Sequence, residues 1–424
     1  MTGVHARASR LLPESPAPER LEQHVAAFGP RPEPRTALIG ELERSGLTGR
    51  GGAGFSAATK WRAVAAEAAG ARAAVVVADA VETEPASFKD RTLLALRPHL
   101  VLDGLQLAAE AVGATRMVVY LSRANDALVR TVTAAIDKRT RSGRDGTDIE
   151  VRTAPTRYVA GEETAVVNRL NGRPARPRAV PPRPYSAGID GRPTLLHNVE
   201  TLAHVALIAR RGADWFREAG TPGSPGTALV TITGAVRTPG VREVEFGETV
   251  GHIIDRAGGA AAEPAAILLG GYFGRWVQAD RVWPVPYERD ALRRVHGSLG
   301  AGVIAVLPRT ACGVAESDRV LAFLARESAG QCGPCQFGLP AMSEALHTVA
   351  TGRARPHTLS TLARWSQEIP GRGACRHPDG ASLFVASALE VFAEDLARHV
   401  RDGACRASRR PPILPTPVLP GGWR

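Results

Sequence analysis

The sequence predicts a mixed α/β protein in three structured parts: an α/β unit with a mostly parallel sheet, a small β-rich unit and a C-terminal helical unit. Strand-like apolar runs alternate with long helical runs between Thr36 and Thr140, the pattern of a parallel sheet with crossover helices. The texture then switches to period-two alternation near residue 227. Helical periodicity returns from Ser317 to Val400.

The elements follow in order. Residues 1–34 are rich in Pro, Arg and Glu and are expected to form a flexible arm carrying one short helix, LEQHVAAF. Residues 35–226 form the α/β unit. It opens with a helical ALIGELERSG, a glycine-dense GLTGRGGAGF and a helical SAATKWRAVAAEAAG. A buried strand, AAVVVADAV, is followed by a helix, a second strand, RMVVYLS, and the helix ANDALVRTVTAAIDKRT. ARPRAVPPRP has too many prolines for a helix and reads as an extended loop, and NVETLAHVALIARRGADWF is a helix. Residues 227–300 alternate, turn and end in a helix, residues 301–404 are largely helical, and the Pro/Arg tail 405–424 is expected to be disordered.

The 424-residue chain is 44% hydrophobic and 22% charged, which is ordinary for a folded protein and excludes wholesale disorder. No apolar run approaches the roughly 20 residues that cross a bilayer, and the N-terminal stretch lacks an apolar signal segment. A cytoplasmic protein with no direct membrane insertion is expected. The formal charge is +11, but all of the 53 basic residues except Lys60, Lys89 and Lys138 are arginines scattered along the chain. Without an aromatic-interleaved basic stripe, nucleic acid is not an expected partner; attraction to an acidic partner or anionic cofactor remains. Five cysteines do not make a disulfide framework and point to metal instead.

Gly49-x-Gly51-x-x-Gly54 has dinucleotide-fingerprint spacing, but a helix rather than a strand precedes it. Glycines there let backbone N–H groups approach an anion, with Lys60 placed to neutralise a phosphate or a reduced flavin. Asp79, Glu82 and Glu84 follow the strand AAVVV, where α/β sheets bind ligands, with Phe88-Lys89-Asp90-Arg91 just beyond. Lys89 and Asp90 read equally well as a surface pair. Glu162 and Glu163 precede a helix and could bind a ligand or only cap it, and Asn198 stands at another helix start. Cys332-Gly-Pro-Cys335 with a remote Cys375 suits iron–sulfur ligation or three quarters of a zinc site completed by His377 or Cys405.

The order of these motifs is more specific than any one of them. GLTGRGGAGF…KW, E-P-x-x-F-K-D-R, Y-x-x-G-E-E-T, G-R-P-T-x-x-x-N-V-E-T and E-S-x-G-Q-C-x-P-C follow one another. This order resembles the NADH-binding flavoprotein subunit of respiratory complex I and its relatives in soluble hydrogenases and formate dehydrogenases, over about residues 36–400. The resemblance implies a Rossmann-like FMN/NADH domain, a β-grasp SLBB (ubiquitin-like) module and a helical bundle for a 4Fe–4S cluster. It further implies FMN held by Gly49, Arg50, Gly51, Gly52, Ala53 and Lys60, with polar contacts from Asp79, Glu82 and Asn198. Phe55, Glu84, Glu162 and Glu163 would lie on the nucleotide side, and Cys332, Cys335 and Cys375 would be cluster ligands. No side chain need act as acid or base, because the flavin carries the chemistry.

The sequence departs from that family at informative places. Ala329 replaces the first cluster cysteine, Asp79 stands where asparagine is usual, and Ala80-Val81-Glu82-Thr83 lacks an aspartate. Ala63, Val180 and Arg183 replace an aromatic, a lysine and a phenylalanine. The expected activity is oxidation of NADH or NADPH, with single electrons passed through an iron–sulfur centre to a ferredoxin or a 2Fe–2S subunit, at the periphery of a membrane redox complex. The alternatives are a weakly active flavin-binding or scaffold subunit, and an enzyme whose metal is zinc. Cys405 is a further candidate to fill the place of Ala329.

Overall fold

The computed structural model describes residues 9–33, 37–70, 72–143 and 148–424; the remainder of the expected arm, residues 1–8 and 34, lies outside these. The first unit runs α1 (Leu21–Phe28), α2 (Leu38–Ser45), α3 (Ala57–Gly70), β1 (Ala74–Ala80), α4 (Lys89–Leu96), α5 (Pro98–Val112) and β2 (Ala114–Ser122). It continues through α6 (Asp126–Arg141), β3 (Ile149–Ala154), α7 (Glu163–Leu170), β4 (Thr194–Asn198) and α8 (Val199–Arg217). Its four strands pair in the order β3-β2-β1-β4, all parallel.

Strand β1 is apolar on both faces because both are covered. Val76 and Ala78 face a core shared with α5 and α8, whereas Val75 and Val77 face Tyr120, Val166 and Leu196. Helices α5 and α8 touch backbone to backbone: a Cβ on Gly104 would lie 1.9 Å from the Leu202 carbonyl oxygen. The register sets Asp79 beside Asn198, at the carboxyl ends of β1 and β4.

The second unit holds β5 (Thr227–Gly234), β6 (Gly240–Glu245), α9 (Val250–Asp255), β7 (Pro264–Leu269), β8 (Arg275–Gln278), α10 (Ala279–Val282), α11 (Arg289–Arg294) and β9 (Val303–Pro308). The sheet order is β6-β5-β9-β7-β8, with β5 and β9 parallel and the other pairs antiparallel. The boundary expected at residue 300 therefore falls too early, since fully buried β9 is the middle strand. Helices α12 (Gly313–Arg326), α13 (Leu339–Ala350), α14 (Thr358–Glu368), α15 (His377–Val391) and α16 (Ala393–Asp402) complete the fold. Among the described residues, no helix is long and apolar enough to cross a membrane.

Both ends depart from expectation by being packed. In the arm, Leu11 is fully buried, and His24 Nε2 lies 2.9 Å from Asp103 of α5, which also pairs with Arg139 and Arg210. A buried carboxylate needs partners, and the arm supplies one of them. In the tail, the amides of Ile413 and Leu414 donate to the buried Glu316 carboxylate at 3.0 and 3.1 Å. The Ala175 amide donates to the Trp423 carbonyl at 2.7 Å, and the guanidinium groups of Arg157 and Arg176 lie over the Trp423 ring. The Pro/Arg composition concealed these anchors.

Candidate functional site

The glycine loop is a closed turn. Thr48 and Ser56 form an antiparallel bridge, and the Gly49 amide donates to the Phe55 carbonyl at 2.8 Å. Gly52 and Gly54 have φ of +103° and +60°, and a Cβ on Gly51 would lie 3.4 Å from that of Asn198. Side chains are thus unwelcome, and the loop presents backbone. The Arg50 amide is taken by Thr201 Oγ1 at 2.9 Å. Among the described residues, the amides of Gly51, Gly52, Ala53 and Gly54 have no protein acceptor, although Gly51–Ala53 are exposed. Such a run of free N–H groups before the N-terminus of α3 fits the phosphate of a flavin mononucleotide.

Around this loop the candidate residues divide into two groups. Lys60 Nζ reaches Glu163 Oε1 at 2.7 Å, joining the glycine-loop helix to the Y-x-x-G-E-E-T segment. Phe55 is 58% exposed beside the loop. Burial raises the Asp79 carboxyl to about 8, against the pull of the Val81 amide 3.1 Å from its Oδ1. Below about pH 8 this side chain is a neutral acid, able to donate as well as accept, as an asparagine would. These groups remain available to a ligand.

The second group is spent on the protein. The Arg50 guanidinium turns inward to Thr48 Oγ1 and the Thr227 carbonyl at 2.9 and 3.1 Å, and lies over the Phe246 ring. Glu82 accepts from Ser87 Oγ, the Asp90 amide and Arg91 Nε, tying down the start of α4. Glu84 accepts from Tyr158 Oη at 2.9 Å and the Tyr272 amide at 2.8 Å, and burial lifts it to about 7 despite these bonds. Glu162 caps α7 by accepting from the amides of Thr164 and Ala165, as the capping reading expects.

Sequence reasoning missed the centre of the polar network. Lys89 is buried, not on the surface, and binds Asp90 at 2.7 Å, Glu200 at 2.8 Å and Asn198 Oδ1 at 3.2 Å. Burial opposes its charge, but the two carboxylates more than offset this and raise its pKa. Asn198 also donates to Asp90 at 2.7 Å, so its amide is positioned rather than free. Likewise buried His197, driven down to about 3 by its burial, stays neutral and accepts from Trp61 Nε1 at 2.7 Å. This fixes the tryptophan of the Lys-Trp pair.

The cysteines form two groups. Cys332 and Cys335 open the wide helical turn Pro334–Gly338, and Cys375 precedes α15. Burial pushes the Cys335 thiol up to about 12, with Cys332 and Cys375 close enough to add to it. Cys375, raised by burial to about 11, also feels Glu162, so the thiols adjoin the capped turn. Further links run from Arg157 to Glu327 at 3.2 Å and from Gln331 Nε2 to the Pro177 carbonyl at 2.7 Å. Ala329 is buried in the same core as Cys335 and offers no donor atom. These residues fit a cluster held by three thiolates, not four.

Neither candidate for completing a zinc site does so. His377 donates its Nε2–H to the Leu324 carbonyl at 2.8 Å, and among the described residues it forms no group with two of the cysteines whose ligand atoms all lie within 4.8 Å of one another. Cys405 instead meets Cys312 and His399, the one group among the described residues with ligand atoms all within 4.8 Å of one another. A surface cavity of about 880 Å³ lies between β7–α10 and the α15–α16 junction and is lined by none of the candidate site residues.

Comparison with known proteins matches this arrangement. Residues 42–207 match the family described as the Nuo51 FMN-binding domain, and residues 315–399 match the NADH-ubiquinone oxidoreductase-F iron-sulfur binding region. The chain is 33% identical over 394 residues to the F subunit of the NADH-quinone oxidoreductase of Mycobacterium tuberculosis (strain ATCC 25618 / H37Rv), covering 90% of this chain and 88% of that protein. Identity to the corresponding Escherichia coli (strain K12) protein is 32% over 377 residues, covering 86% and 84%. Among solved structures, an NAD+-reducing [NiFe]-hydrogenase in the air-oxidized state superposes with a TM-score of 0.79 at 30% identity. That match covers 87% of this chain but only 63% of the hydrogenase chain.

Proposed function

The chain belongs to the NADH-quinone oxidoreductase-F family, NADH-oxidising flavoproteins with FMN and 4Fe–4S domains, and from that premise we propose how its own residues divide the work. When bound, FMN supplies the chemistry: it takes a hydride from the nicotinamide and releases electrons singly. The amides of Gly51, Gly52, Ala53 and Gly54 bind its phosphate, and Lys60 neutralises the negative charge. Asp79, with Asn198 beside it, orients the polar groups of the flavin at the carboxyl ends of β1 and β4. Exposed Phe55 offers a ring to the dinucleotide.

Glu162 and Glu163 position neighbours and move no proton. Glu82, Glu84 and Arg50 build the walls. Cys332, Cys335 and Cys375 hold the cluster. The second unit is an SLBB-like β-grasp module, supported by its parallel pairing of first and last strands. A 2Fe–2S subunit or ferredoxin receives the electrons, at the periphery of a larger redox complex. The single observation carrying this division is the row of unpartnered loop amides beside the Lys60–Glu163 pair.

The test is anaerobic titration of the FMN-loaded protein with NADH and NADPH, following the flavin's visible absorption. Bleaching by either supports the reading. A bound flavin that neither bleaches favours the second reading, a weakly active flavin-binding subunit, to which the loss of a ligand at Ala329 lends specific support.

A further inference from the structure

A second sulfur-and-nitrogen cluster lies apart from the three cysteines assigned above. Cys312 caps the start of α12, His399 sits in the last turn of α16, and Cys405 stands just beyond that helix. Cys312 Sγ is 3.6 Å from His399 Nε2, and one ligand atom from each of the three residues lies within 4.8 Å of the others. Cys312 and His399 are buried, while Cys405 is exposed.

The histidine is oriented as a ligand. Its Nδ1 is 3.3 Å from the Val349 carbonyl, which can only accept, so the ring proton belongs on Nδ1. Nε2 then carries the ring's lone pair, which accepts weakly from the Cys405 amide at 3.4 Å with Cys312 Sγ 3.6 Å away, so a metal bound there takes the place of that hydrogen bond. Metal-bound histidines characteristically donate their other N–H to a carbonyl in this way. Cys312 Sγ further accepts from the Ala315 amide at 3.4 Å, which fixes the sulfur beside the ring; burial holds its thiol up at about 11, so a bound metal must displace that proton.

We propose that Cys312, His399 and Cys405 bind one divalent cation of the zinc class. Two thiolates and an imidazole suit a borderline-soft ion, with water in the fourth position on the exposed side of Cys405. Binding releases the two thiol protons and forms two metal–sulfur bonds and one metal–nitrogen bond; nothing is oxidised or reduced. The consequence is mechanical. The ion fastens residue 405 to both α12 and α16, and so anchors the near end of the segment whose Leu414 and Trp423 reach Glu316 and Ala175.

The experiment uses the full chain purified with its flavin and iron, assaying zinc, iron and sulfide together in the wild type, Cys405→Ser and Cys312→Ser. The expected result is about one zinc per wild-type chain, with zinc occupancy at a fixed free concentration about tenfold or more lower in both variants and iron unchanged. Cobalt supplied instead of zinc should give a thiolate-to-cobalt absorption band that Cys405→Ser abolishes. Because Cys405 is exposed, that variant tests the site even if Cys312→Ser misfolds. Proteolysis of the segment after residue 405 should accelerate in Cys405→Ser. Equal zinc in wild type and Cys405→Ser would overturn the proposal, as would a wild type that takes up neither zinc nor cobalt.

Discussion

Lys60 Nζ lies 2.7 Å from Glu163 Oε1, so the cation beside the glycine loop has a carboxylate partner of its own. Both side chains are partly exposed, and such a pair contributes no more than about 1 kcal/mol to stability. Lys60→Ala should therefore barely change the melting temperature. It should weaken FMN binding about 10- to 100-fold, the loss of one charge-assisted hydrogen bond. Glu163→Gln should leave FMN affinity unchanged or raise it, because Lys60 loses its competitor. Quenching of FMN fluorescence by the flavin-free protein measures both.

Asp79 predicts a pH dependence. Its carboxyl is raised by burial to about 8 from an unfolded value near 4, so the folded chain holds a proton there that the unfolded chain has lost. The stabilisation is complete below about pH 4 and is lost progressively as the pH rises to and through about 8. Asp79→Asn removes that loss: flavin-free variant and wild type should converge as the pH falls toward about 4, and the variant should melt higher above about pH 8. Thermal melts across that range decide it; parallel curves would show that Asp79 ionises normally.

Lys89 is the keystone between the two sheets' facing segments, binding Asp90, Glu200 and Asn198, while Glu200 also accepts the Leu229 amide of β5 at 2.9 Å. Lys89→Met strands two buried carboxylates, at a cost of about 3–5 kcal/mol. Combining it with Glu200→Gln should recover part of that loss. Urea unfolding of the three variants checks this, and independent, additive effects would refute the network.

The legibility of these features in the sequence followed burial. β1 reads as a strand because AVVVADA is covered on both faces, whereas Ile149–Ala154 and Thr194–Asn198 went unread. The first mixes charge with aliphatics, and the second runs directly into α8. The glycine loop, Lys60 and the Cys332–Cys335 pair were legible because their chemistry is local. The uses of Glu82, Glu84 and Lys89 were not, because each depends on how the chain turns or packs: Glu82 on the turn that opens α4, Glu84 on distant Tyr272, Lys89 on distant Glu200. Nor could spacing foretell that Cys405 meets Cys312 and His399 rather than Cys375.

The flavin cradle thus stands next to a cluster seat that is short of one thiolate. Iron and acid-labile sulfide per chain in anaerobically purified wild type and Ala329→Cys test it most directly. Because Ala329 lies in the core that holds Cys335, iron should rise to about four per chain in the variant, from a lower value in the wild type. Identical iron and sulfide in the two proteins would contradict it.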